Sequence, residues 1–174
     1  MAKPGDVGFV ARAGFLGWWI KYAQHHKYGK HNTLALWNHV FMVTGNDQII
    51  EAKPHGVELN HLADYAHQET ILLRPNYALG GADIAVSAMF EMLYKDERYG
   101  WLTLLSCALS LMTGTRMRFG IDGTEICSGA VSYALTRANI DVGDDGEFNT
   151  PADLATYAEQ QNWSIAGTAT SDKI

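Results

Sequence analysis

Two strand-forming runs, Asn38-His39-Val40-Phe41-Met42-Val43 and Gln48-Ile49-Ile50-Glu51-Ala52, flank the cluster Thr44-Gly45-Asn46-Asp47. This arrangement constrains the fold more than any other stretch of the chain. β-Branched and aromatic residues suit a pleated backbone, and Gly, Asn and Asp suit a tight reversal, so the pattern predicts a β-hairpin. An isolated hairpin is marginal in water and needs partner strands. Candidates are Val7–Val10 behind Pro4-Gly5-Asp6, the alternating Gly56-Val57-Glu58-Leu59, and Thr70-Ile71-Leu72-Leu73-Arg74, which stops at Pro75. The first half therefore reads as mostly antiparallel sheet.

Helical patterns dominate the second half. Ile84, Met89, Met92 and Leu93 lie near helical spacing within residues 82–95, and residues 101–112 form a more apolar helix that stops before Gly114. A turn at Asp122-Gly123 leads into a helix-compatible run from Thr124 to Leu135, with Cys127 at or near its first turn. Thr150-Pro151-Ala152-Asp153-Leu154 predicts a last short helix, with Thr150 as cap and Pro151 in the first turn. The segment Gly14–Ile20 reads as a helix or a wrapped loop, and Gly167–Ile174 reads as a frayed tail. Strands succeeded by helices indicate an α+β fold, and 174 residues without repeats or linkers suit one domain, 1–174.

The net charge of −6, with no basic stripe, argues against a nucleic-acid partner. The longest apolar stretch, Trp101–Met112, is shorter than the roughly 20 residues needed to span a bilayer and is interrupted by Thr103, Ser106 and Ser110, so no integral membrane segment is expected. No apolar run comes after Lys3 as a secretory signal would require, which implies a cytoplasmic protein or delivery by another route.

The two cysteines, Cys107 and Cys127, lack the spacing of a zinc site, a redox pair or a disulfide framework. Cys107 sits in Leu104-Leu105-Ser106-Cys107-Ala108-Leu109 and reads as core. Cys127 is placed differently. Unpaired N–H groups at a helix start favour a thiolate and can also receive an oxyanion, which makes Cys127 a candidate nucleophile. Such a nucleophile needs a base and a group to orient that base. Of the seven histidines, six lie in polar or turn-like surroundings, with His55 and His61 the weaker candidates, and only His39 stands within an apolar strand. If Thr44 pairs with Gln48, then Phe41 faces Glu51, and Glu51 becomes the diagonal same-face neighbour of His39. The alternative third group is another polar side chain or water. A metal cluster of His25, His26 and His31 is a competing reading, but adjacent histidines rarely aim at one ion and no thiolate or carboxylate supports them, so neither metal nor cofactor is expected.

Four pieces, in order, resemble the circularly permuted branch of the NlpC-type papain-like hydrolases, especially the YiiX-like proteins and more distantly the lecithin-retinol acyltransferase-like ones. They are Lys3-Pro4-Gly5-Asp6-Val7, Trp37-Asn38-His39-Val40, Ile50-Glu51-Ala52 with Gly56-Val57, and Cys127-Ser128-Gly129-Ala130-Val131; Thr150–Leu154 is also similar. The resemblance implies a permuted papain-like fold with the cysteine helix beside the sheet, and a catalytic set of His39, Glu51 and Cys127. Related sequences often carry an acidic residue soon after the cysteine, where this chain has Gly129 and Ala130. The implied activity is a thiol hydrolase acting on an amide, such as a cell-wall peptide, with acyl transfer or thioester hydrolysis on acyl substrates as the alternative. A non-catalytic binding module that retains the fold is the third possibility, and oligomeric state is left open.

Overall fold

The computed structural model describes residues 1–14, 18, 20–22, 24, 26, 33–53, 56–95, 127–142 and 150–169. Its strands are β1 (Val7–Val10), β2 (His39–Gly45), β3 (Gln48–Lys53), β4 (Gly56–His61), β5 (Thr70–Arg74) and β6 (Ser164–Ala169). Its helices are α1 (Gly81–Tyr94), α2 (Cys127–Arg137) and α3 (Pro151–Gln160), with 3-10 turns at Thr33–Leu36 and Leu62–Tyr65. The strands form one antiparallel sheet in the order β4-β3-β2-β1-β5-β6. The architecture is thus α+β, a six-stranded antiparallel sheet packed with helices. The expected helix at 101–112, Cys107, Phe15–Gly17 and Trp19 of the ambiguous N-terminal segment, and the start of the 124–135 run lie outside the described residues.

Strand alternation sorts side chains to two faces. Val7, Phe9, Val40, Met42, Ile50 and Ala52 face the helices, where they meet Ala85 and Met89 of α1, Ala130 and Ala134 of α2, and Leu154 of α3. Small residues on α1 and α2 let these helices approach the sheet and each other closely. The opposite face carries a smaller cluster of Val10, Phe41, Val43, Ile49, Tyr65 and Leu72. Gly8 of β1 lies under the Phe41 ring, where an added Cβ would stand 2.1 Å from Cζ.

The hairpin between β2 and β3 forms, but its turn differs from the expected one. Asn46 and Asp47, with φ of 50° and 58°, occupy the two central positions, so Gly45 rather than Thr44 pairs with Gln48. A bulge between Val43 and Gly45 then absorbs Thr44 and restores the pairs Val43–Ile49 and Met42–Ile50. Asn and Asp accept the left-handed backbone of a two-residue hairpin loop, and Gly45 at φ 114° supplies the irregular step beside it. One extra residue on one strand cancels the one-residue shift at the turn, so Glu51 still shares a face with His39.

The tail is also corrected. Gly167 is not frayed, because residues 164–169 form β6 against β5 with a register shift between Leu72 and Leu73. Main-chain pairing to β5 outweighs the weak apolar pattern of Ser164–Ala169. The N-terminal motif is a structural clamp: Arg74 donates to Asp6 through Nε (2.7 Å) and a terminal nitrogen (2.8 Å), and the Lys3 N–H also reaches Asp6 (2.8 Å). At the other end of the chain, Thr150 caps α3, with Asp153 returning the bond in a capping box.

Candidate functional site

His39 opens β2 and, by alternation, lies on the face of Phe41 and Val43. Glu51 is two residues beyond Ile49 on the same face of β3. His39 Nε2 meets Glu51 Oε2 directly, and both side chains are almost fully enclosed. The other imidazole nitrogen is left for Cys127, which lies close enough to the His39 ring for the two groups to shift each other's pKa. The structure therefore brings together the three residues singled out in the sequence, from β2, β3 and α2.

Strand geometry explains how a residue of the helical layer reaches a histidine on the opposite face. The β2–β3 ladder runs from Gly45–Gln48 to Met42–Ile50 and stops there. The Val43 N–H points to Asp6 of the β1 side, so alternation turns the Val40 N–H towards β3, beyond the last ladder pair. The start of α2 fits at this opening, which brings the Cys127 sulfur beside the Val40 and Ser128 N–H groups that help to hold its pKa down.

Burial alone would raise the Cys127 thiol pKa. The His39 charge and hydrogen bond, together with the two backbone donors, instead hold it below its ordinary value. His39 shows the complementary balance: burial favours the neutral ring, but the Cys127 thiolate and then Glu51 raise its pKa above the usual histidine value. Glu51 is opposed by burial too, yet hydrogen bonding to His39, its charge, and donation from Tyr65 and Lys53 lower its pKa to about 2. The arrangement favours a thiolate–imidazolium pair backed by an ionised carboxylate.

Several neighbours were not singled out in the sequence. Tyr65, from the 3-10 turn after β4, donates its hydroxyl to Glu51 Oε2, stacks on Phe41 at 5.3 Å between centroids and lies 5.9 Å from the His39 ring. The other carboxylate oxygen, Oε1, accepts from Asn60 of β4 at 3.0 Å and from Lys53 of β3 at 3.1 Å. Lys53 was recoverable in principle, since residues i and i+2 of a strand share a face. Tyr65 was not, because a single turn of 3-10 helix imposes no periodicity on the sequence. Asn38 is fixed by reciprocal bonds with the Arg12 backbone, at 2.8 and 3.0 Å, which anchors the residue preceding His39.

Two of the other candidates are described. His26 and His61 are exposed, and His25, His31 and His55 lie outside the described residues. Among the described residues, no group of three or more His, Cys, Asp or Glu could hold a metal ion. No helix among them is long and apolar enough to cross a membrane. No protein-family model matches the chain, and no curated protein matches it. Any reading of the site therefore rests on its residues and their geometry.

Proposed function

We propose that this chain is a thiol hydrolase of circularly permuted papain-like architecture, cleaving an amide such as that of a cell-wall peptide. One observation carries the proposal: a buried histidine held at Nε2 by a buried carboxylate lies beside a cysteine at the start of the described part of α2, close enough for the two to shift each other's pKa. The Cys127 sulfur attacks the substrate carbonyl, and backbone N–H groups at the first turn of α2 receive the oxyanion. The C–N bond breaks as His39 gives its proton to the departing amine, leaving a thioester on Cys127. A water molecule then attacks the thioester, losing a proton to His39. The carboxylic acid departs, and the sulfur leaves as the thiolate that began the cycle, paired again with His39. Glu51 keeps the ring in one orientation and stabilises its charged form throughout.

The chain order supports the permuted reading, since the histidine and carboxylate strands precede the cysteine helix and the sheet is antiparallel with that helix packed on it. The test is mass spectrometry of the intact protein incubated with peptide amides and, separately, with acyl esters. An acyl adduct on Cys127 that forms from the amide and is absent in H39A supports amide hydrolysis. Labelling by esters alone points to an acyltransferase or thioesterase. Failure of Cys127 to react with either substrate, or with iodoacetamide faster than a free thiol does, identifies a binding module.

A further inference from the structure

Glu51 is more heavily solvated by protein groups than its task requires. Holding one histidine tautomer takes a single hydrogen bond, yet this carboxylate accepts from four donors. His39 and Tyr65 share Oε2, while Asn60 (3.0 Å) and Lys53 (3.1 Å) share Oε1. An ionised carboxylate has about four acceptor sites, so both oxygens are saturated. Each extra donor draws negative charge away from the atom facing the imidazole, and Lys53 also brings a positive charge to the same carboxylate.

We infer that Tyr65 and Lys53 are positioning residues that restrain the basicity of His39 by spreading the charge of Glu51. This rests on the triad reading proposed above and assigns it a setting. A general base must also give its proton back, and an imidazolium held too firmly by its carboxylate would be a poor acid towards the leaving amine. Among the described residues, the groups that face His39 or act on it are these. Cys127 comes from α2 and Glu51 from β3, with Tyr65 from the 3-10 turn. Lys53 acts through Glu51 and is shared with Glu58 of β4 at 3.5 Å, while Arg12 lies over the Tyr65 ring at 5.9 Å from its centroid.

The direction of the effect separates tuning from simple support. Removing a donor leaves Oε2 or Oε1 more basic and strengthens the pull of Glu51 on the imidazolium, so His39 in the ion pair keeps its proton to higher pH. Loss of a merely structural prop would loosen Glu51 and move that midpoint downward, or leave it in place. The experiment is the NMR titration of the His39 ring in the full chain, its signal assigned as the one missing from H39A. Y65F, which keeps the ring stacked on Phe41, and K53M are expected to raise the midpoint by about half a pH unit or more, a shift of about threefold in the proton affinity of the ring. K53R, which keeps the charge, should match the wild type. Because Lys53 is only partly buried, K53M retains the fold and carries the test if Y65F does not. An unchanged or lowered midpoint in K53M overturns the inference, while Cys127 alkylation rates that coincide across pH in wild type and H39A overturn the triad reading itself.

Discussion

Gly8→Ala tests whether the small cluster on the open sheet face positions the site. A Cβ at residue 8 would lie 2.1, 2.2 and 2.7 Å from three atoms of the Phe41 ring, whereas real Cβ contacts essentially never fall under 3.0 Å. The ring must retreat by about 1 Å in an interior packed as tightly as a molecular crystal. Phe41 is fully buried and stacked on Tyr65 at 5.3 Å, so its movement presses on the residue whose hydroxyl holds Glu51. Overpacking of this kind costs about 1–3 kcal/mol. For a chain of this size, that lowers Tm by about 2–12 °C. Thermal unfolding monitored by circular dichroism measures the loss, and Cys127 alkylation at neutral pH should slow in parallel. Gly167→Ala is the matched control, because the nearest atom to its added Cβ is Leu72 Cδ1 at 3.6 Å, an ordinary contact. A Gly8→Ala protein melting within about 1 °C of wild type would refute the packing chain from Gly8 to Glu51.

The buried charges set the other expected outcomes. Glu51→Gln keeps the shape but sets an amide N–H among groups that already donate, and should cost about 1–3 kcal/mol in urea unfolding. The same substitution removes the stabiliser of the imidazolium, so the thiolate midpoint should rise by about one pH unit, with alkylation at neutral pH about tenfold slower. Because Glu51 is depressed from 4.5 to about 2, its contribution to stability is complete above pH 4.5 and is lost as pH falls towards 2. Unfolding free energies measured across that window should fall more steeply in wild type than in Glu51→Gln. Asp6→Asn leaves Arg74 without its carboxylate partner and frees the Lys3 N–H, so a loss of about 1–3 kcal/mol in chemical denaturation is expected, with the Cys127 midpoint unchanged.

Local patterns in the sequence were sufficient for the hairpin, the capped helix at Thr150 and the strand at Val7–Val10, and they made His39, Glu51 and Cys127 candidates that the family resemblance then joined. Each depends on neighbours a few residues away: turn formers between strand formers, Thr before Pro, a histidine inside an apolar strand. Tertiary contacts decided the rest. The bulge at Thr44 restores the Glu51 register by a two-strand compensation that one strand's residues do not encode, and β6 exists because β5 presents a free edge to pair with. Tyr65, Asn60 and Lys53 become partners of Glu51 only when the 3-10 turn and β4 fold beside β3. Secondary-structure preference is written in short-range sequence, whereas the surroundings of a buried charge are set by distant segments that must all satisfy it at once.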